Sequence, residues 1–370
     1  MRRSLAWRRG MALVVLACLA IGAFACGATL GDGGGAPQPG VAETLPAKQL
    51  VGLRIVAGLR GTSISPGLRA AIAQGHVAGV VLFAENIPSR AAARRLTDRL
   101  QAIKRPPKLR DPLLVMTDQE GGQVKRMSGS PSASAAHMGI RGPGFSRSQG
   151  RRTASDLRGV GVNVDLAPVL DVGRPGGAIA ETERSFGATA AKVEKTAIPF
   201  AKGLQAGGAA ATGKHFPGFG AARENTDFAV ERVDLSKREL RAVDEKPYAA
   251  FAAAGGKVVM LSTAIYPAFS GRPAAFTRAI ATGELRDRLG FEGVTVTDAL
   301  ETPAVEHFGS TAEVALAGAR AGDDLLLFSR LGPAEAAWRA LVAGLRSRSL
   351  DRSQFEQAAE HVLDLRADLR

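Results

Sequence analysis

Three short stretches of the 370-residue chain end in groups that could act together on one substrate. "MTDQEGGQVKRM" carries Asp118 and, behind it, Arg126; "GKHF" carries Lys214 and His215; "VTVTDAL" carries Asp298. Each follows an apolar run. A carboxylate, a lysine and a histidine at one rim each lose hydration unless they are paired or bound to a polar ligand. Any one of them alone fits a structural ion pair as well as it fits function. Together they suit a polyol or sugar, because carboxylates and cations bond hydroxyls in pairs and Gly121-Gly122 lets backbone approach a ligand. The stretch "GKHFPGFGAARENTD", residues 213–227, raises the question of which group moves a proton. A lysine facing carboxylates stays charged and makes a poor base. The far end of that loop offers acid and amide groups but no histidine.

The elements that must position these groups alternate. Apolar, β-branched runs such as "LRIVAGL", "VAGVVLFA", "PLLVMTD", "VNVDLAPVL", "AAATGKHF", "KVVMLSTA", "GVTVTDAL" and "DDLLLFS" are separated by amphipathic stretches. Four of the latter, "SRAAARRLTDRLQAIK", "AKVEKTAIPFAKGLQAGG", "SKRELRAVDEKPYAAFAAAGG" and "TAEVALAGARAG", repeat apolar residues at three and four, as helices do. Strands apolar on both faces belong to a parallel sheet covered by helices. Eight such units predict an α/β fold, a TIM-type (β/α)8 barrel in a single domain, with chemistry where the strands end. An open doubly wound sheet is the alternative, but no G-x-G-x-x-G follows the first strand.

The body is taken to span residues 47–370. Ahead of it, Arg2, Arg3, Arg8 and Arg9 precede an uncharged apolar run, so residues 1–30 read as an export signal. Cleavage after Ala25, lipidation of Cys26 and an uncleaved anchor are all open, and each puts the body outside the cytoplasm. Residues 31–46, "GDGGGAPQPGVAETLP", read as a Gly/Pro-rich tether. Both cysteines, Cys18 and Cys26, lie ahead of the body, which leaves it no disulfide. The histidines at 76, 137, 215, 307 and 361 lack paired ligand spacing, so no metal or cofactor is expected. The formal charge of +13 is spread without a basic run and aromatics are few, which argues against nucleic-acid binding. Membrane contact is expected only through the N-terminal segment, and the chain is expected to act as a monomer.

Five motifs in order, "MTDQEGGQVKRM", "VNVDLAPVLDV", "ERSFG", "GKHFPGFG" and "GFEGVTVTDALE", make the chain resemble the single-barrel β-N-acetylglucosaminidases of glycoside hydrolase family 3. The resemblance runs from about residue 48 to 365 and implies a retaining mechanism through a covalent glycosyl-enzyme. It implies that Asp298 is the nucleophile. It implies further that Asp118, Arg126, Arg184 of "ERSFG", Lys214 and His215 hold the sugar hydroxyls, and that the partner is a β-linked glycan or glycoside, peptidoglycan fragments included.

One loop departs from the family. There the loop after the Lys-His motif carries Asp-Ser-His, whose Asp-His dyad is the general acid/base; here Asn225-Thr226-Asp227 stands in its place, and Phe219 replaces a second loop histidine. Three readings follow. Asp227 takes over as acid/base, with Glu224 as the reserve, since a retaining hydrolase wants two carboxyls about 5–5.5 Å apart. Alternatively no acid/base remains, and only good leaving groups or a strong nucleophile such as phosphate would turn over. In the third reading the barrel binds wall glycans without cleaving them. A retained Asp298 beside a retained subsite favours an enzyme.

Overall fold

The computed structural model describes residues 40–370. The export segment, residues 1–30, and the tether up to residue 39 lie outside the described residues. The end of the tether is docked: Ala42 and Leu45 are buried, and Ala42 N–H donates to Glu360 Oε1 at 2.7 Å. Arg352 donates to the carbonyls of Glu43 and Leu45 at 3.1 and 3.0 Å. The packed body therefore starts a few residues ahead of Ala47.

Eight short strands run at the expected places: β1 Ile55–Gly58, β2 Gly79–Leu82, β3 Leu114–Thr117, β4 Val164–Asp165, β5 Ala210–Phe216, β6 Val258–Leu261, β7 Val294–Thr297 and β8 Leu326–Phe328. Every strand residue is buried, as a sheet covered on both faces requires. The order is β8-β1-β2-β3-β4-β5-β6-β7, all pairs parallel. A bridge between Val296 and Leu325 closes the ring, with Leu325 N–H on Thr295 O at 2.9 Å and Thr297 N–H on Leu325 O at 3.0 Å. Closure leaves no sheet edge to protect. The chain is a TIM-type (β/α)8 barrel.

Helices α1 Arg90–Gln101, α2 Pro143–Gly159, α3 Ala190–Ala206 and α4 Thr311–Ala321 cover the sheet. Ser89, Thr189 and Ser310 cap α1, α3 and α4, each side-chain oxygen accepting a first-turn N–H that no carbonyl of the helix can reach. Helices α2 and α3 meet through glycines. A Cβ on Gly150 would lie 2.1 Å from the Phe200 carbonyl oxygen, and one on Gly203 would lie 2.3 Å from that of Arg147. This approach sets the backing against which β4 and β5 present their ends.

The stretch read as one helix at 236–256 is broken. It has a turn at Lys237–Glu239, a π-wound segment at Leu240–Asp244 and a helix at Lys246–Ala253 that begins around Pro247. Proline suits a helix start and disrupts an interior. The break places Asp244 and Tyr248 behind the loop that follows β5, where both have partners described below.

Candidate active site

Asp118 stands directly after β3, and a small hairpin, Gln119–Gly121 with Val124–Lys125, folds the chain back over it. Gln119 staples that hairpin. Its Oε1 accepts from Arg126 N–H and Met127 N–H at 3.0 and 3.2 Å, and its Nε2 donates to Met127 O and Ser130 O at 3.0 and 2.8 Å. Arg126 thereby returns to within 3.5 Å of Asp118. The glycines expected to admit a ligand serve the protein itself at Gly121: φ is +97° there, and a Cβ would sit 2.2 Å from the Ala133 carbonyl oxygen. That corrects the sequence reading, because the close approach is intramolecular.

Behind Asp118 lies a network that the sequence reading left without a centre. Lys214, at 2% exposure, places its Nζ 2.6 Å from Asp118 Oδ1 and 2.8 Å from Glu120 Oε1. Arg184 grips Glu120 with two parallel bonds of 2.8 Å. Burial works against the charge on Glu120, but Lys214 and Arg184 outweigh it and hold the carboxyl far below its ordinary range. For Asp118 too, burial is overcome by Lys214 and Arg126. Lys214 is pushed up, the two carboxylates prevailing over its burial. The cluster is therefore a fixed set of charges, and Lys214 cannot serve as a base.

His215 turns its ring against Asp171, Nδ1 to Oδ2 at 2.8 Å. Asp171 is fully buried, and its Oδ1 accepts His215 N–H at 3.1 Å, Phe219 N–H at 2.7 Å and the Tyr248 hydroxyl at 3.3 Å. The Tyr266 hydroxyl donates to Gly218 O at 3.0 Å. Arg174 holds Asp244 by two bonds of 2.6 and 2.8 Å, and Asp244 in turn packs against Gly218, whose φ of +132° and lack of a Cβ the contact requires. The first half of the loop is thus fixed from three sides, by Asp171, Tyr266 and Asp244. Its second half is different: Arg223, Glu224, Asp227 and Phe228 are exposed.

A cavity of about 140 Å³ opens at the C-terminal ends of the strands, lined among others by Asp118, Arg126, Arg184, Lys214, His215, Asp227 and Asp298. All seven residues singled out in the sequence meet there. Glu224 does not line it. Asp298, directly after β7, accepts Ala299 N–H at 2.8 Å. Burial raises its carboxyl, a positive charge on His215 would draw it down, and the charge of Asp227 raises it further. Asp227 Oδ2 accepts from Asn225 Nδ2 at 3.0 Å, and Asn225 Oδ1 accepts the Asp227 N–H at 3.0 Å. Phe219 lies edge-on to the His215 ring at 5.7 Å and contributes apolar wall. Among the described residues no group of three or more His, Cys, Asp or Glu side chains could hold a metal ion.

A closed barrel with carboxylates and cations converging at the C-terminal ends of its strands has the form of a barrel enzyme. The chain belongs to glycosyl hydrolase family 3, whose N-terminal domain it matches over residues 47–365. It is 38% identical over 306 residues to a secreted glycosyl hydrolase of Arthroderma benhamiae, covering 80% of this chain and 86% of that one. A β-N-acetylglucosaminidase structure from Paenibacillus sp. superposes with a TM-score of 0.84 at 32% identity; 88% of this chain matches, and it spans 63% of that chain. A β-N-acetylhexosaminidase from Beutenbergia cavernae gives 0.80 at 32% identity, covering 87% of this chain and 99% of its own.

Glu120 and Asp171 are residues of the candidate site that the sequence left unassigned. Glu120 had a signal, its i, i+2 relation to Asp118, which puts two side chains of extended backbone on one face. Asp171 had a weaker one, as the last acid of "VNVDLAPVLDV", but 44 residues separate it from His215.

Proposed function

We propose that the chain is a retaining β-N-acetylhexosaminidase, or a hydrolase of closely related β-glycosides, working through a covalent glycosyl-Asp298 intermediate. The observation that carries this reading is the meeting of Asp298 and Asp227 in the wall of one cavity with Asp118, Arg126, Arg184, Lys214 and His215. Asp118, Arg126, Arg184, Lys214 and His215 present hydroxyl-binding groups to a sugar ring, while Glu120 holds Lys214 and Arg184 in place. Asp298 attacks the anomeric carbon and displaces the leaving oxygen, which takes a proton from Asp227. Asp227 then draws a proton from the water that frees the sugar from Asp298. Asp227 is exposed in the outer half of the loop, where a bound glycoside would cover it.

The test uses leaving groups. Asp227→Ala should slow a phenyl or natural glycoside by about 10²- to 10⁴-fold, yet barely affect formation of the glycosyl-enzyme from a dinitrophenyl glycoside. Azide should restore turnover of the activated substrate as a β-glycosyl azide. A 2-fluoro sugar with a good leaving group should label Asp298. Equal losses for both leaving groups, without azide rescue, would remove Asp227 from the chemistry and favour phosphate as the acceptor or a glycan-binding role.

The N-terminal pattern supports export, and with it wall-derived glycans such as peptidoglycan fragments as substrates. No helix among the described residues is long and apolar enough to cross a membrane. Fractionation of cells carrying Cys26→Ser separates the alternatives: release into the soluble fraction marks a lipid anchor, retention a spanning one.

A further inference from the structure

We infer that Asp171 is a positioning residue that holds His215 in its Nδ1–H tautomer, so that the ring offers an Nε2 lone pair to a donating hydroxyl of the bound sugar. This rests on the reading of the cavity as a sugar site. The argument starts from the donors around Asp171. Its Oδ1 receives two backbone N–H groups, from His215 at 3.1 Å and Phe219 at 2.7 Å, and the Tyr248 hydroxyl at 3.3 Å. Three donors on one oxygen stabilise the carboxylate over the carboxylic acid. The proton between Oδ2 and Nδ1, 2.8 Å apart, therefore belongs to the ring nitrogen. A neutral imidazole protonated at Nδ1 keeps its lone pair on Nε2. Among the described residues Nε2 has no hydrogen-bond partner, and the residue, at 10% side-chain exposure, lines the cavity.

The consequence concerns specificity. An Nε2 acceptor requires a donor, so the sugar must carry a free O–H at the position it meets. A fluorine, a methyl ether or a carbonyl oxygen placed there leaves Nε2 facing another acceptor. The opposite tautomer would welcome all three. Recognition at this point selects a hydroxyl against acceptor-only groups, which neither the pocket's shape nor its net charge can do.

The substitution that isolates the effect is Asp171→Asn. The two backbone N–H groups demand an acceptor at the Oδ1 position, so the amide oxygen is held there and the amide NH2 faces His215 Nδ1. The ring must then accept at Nδ1 and carry its proton on Nε2. Nitrogen-15 spectra of the unliganded protein, with the His215 signals assigned by their loss in His215→Gln, should show Nδ1–H in the wild type and Nε2–H in Asp171→Asn. Kinetically, the variant should lose about 10- to 100-fold in kcat/KM on the parent aryl glycoside, the range expected when one hydrogen bond in a buried site is left unmade. In a series of monofluoro analogues, one position should lose most in the wild type and much less in the variant. An Nε2–H ring in the wild type would overturn the inference, as would equal slowing of every analogue by Asp171→Asn. Should the variant not fold, the wild-type spectrum and fluoro series still decide. If no glycoside is hydrolysed the sugar-site reading fails, while the spectrum still judges the tautomer.

Discussion

Replacing Glu120 by glutamine tests whether the charges beneath the cavity form one fixed unit. Glu120 is 4% exposed and accepts two bonds of 2.8 Å from Arg184, while Lys214 stands 2.8 Å away on its Oε1. Glutamine keeps the shape, removes the charge and turns an NH2 group toward donors. Lys214 would retain Asp118 at 2.6 Å, but Arg184 would lose the only carboxylate to which it is hydrogen-bonded among the described residues. Removing one partner of a buried ion pair costs about 3–5 kcal/mol, and Arg184, at 15% side-chain exposure, has little water to fall back on.

The pH dependence follows from the directions of the shifts. Glu120 is depressed from its ordinary 4.5, so its contribution is complete above that value and fades as pH falls through the lower native one. Lys214 is raised from 10.5, so its share is complete below that value and fades as pH climbs through the higher native one. Urea unfolding of wild type and Glu120→Gln should therefore differ by a constant amount between the two values. A difference below about 1 kcal/mol, or one that drifts across that interval, would mean that the charges do not act as a unit.

Two further outcomes are expected. Because burial and the Asp227 charge raise Asp298, the acid limb of kcat/KM should sit above the ordinary carboxylate value of 3.8, the proposed nucleophile being ionised only above its native pKa. Asp227→Asn should move that limb toward lower pH, read with a dinitrophenyl glycoside that needs no acid; an unmoved limb would detach Asp227 from Asp298. Gly203→Ala should destabilise the fold by about 1–3 kcal/mol despite alanine's better helix propensity, because its Cβ would lie 2.3 Å from Arg147 O and 2.9 Å from Arg151 N. A more stable variant in urea would show that α2 and α3 can separate.

How much of this was legible depends on the range of the interaction. All eight strands could be read, because a parallel strand covered on both faces is a continuous apolar run, and "KVVMLSTA" or "GVTVTDAL" has no other use for its β-branched residues. The strand ends followed, and with them Asp118, Lys214, His215 and Asp298. The break at Leu240–Asp244 was not legible, although Pro247 stood in the stretch, because periodicity alone carried across it. Docking of Ala42 and Leu45 on the C-terminal helix was hidden for another reason: composition marks a Gly/Pro-rich segment as a linker and cannot say where it finds a surface. Asp171 was hidden most completely, since its partners come from His215, Phe219 and Tyr248 across the fold.

On the proposed function, the loop after β5 is built so that the acid/base can change without dismantling the residues that would hold the sugar. From Lys214 to Gly220 the chain is committed: Asp171 takes two of its N–H groups, Tyr266 takes the Gly218 carbonyl, Asp244 occupies the space a side chain at Gly218 would need, and a Cβ on Gly220 would lie 1.9 Å from Val172 O. A substitution there disturbs Lys214 and His215 at once. Beyond Ala222 the side-chain constraints thin to Arg223 N–H on Glu231 Oε1 and the reciprocal bonds of Asn225 with Asp227, while Phe228 and Ala229 N–H donate to the Asn225 carbonyl and Thr226 is buried. An exposed residue in that outer half, such as Asp227, can be exchanged at little cost to folding, because exposed side chains away from such fixed contacts contribute little to stability. Catalysis can therefore drift there while binding stays constant. An Asn-Thr-Asp sequence in the outer half, beside an intact inner half, is what such a division of the loop permits.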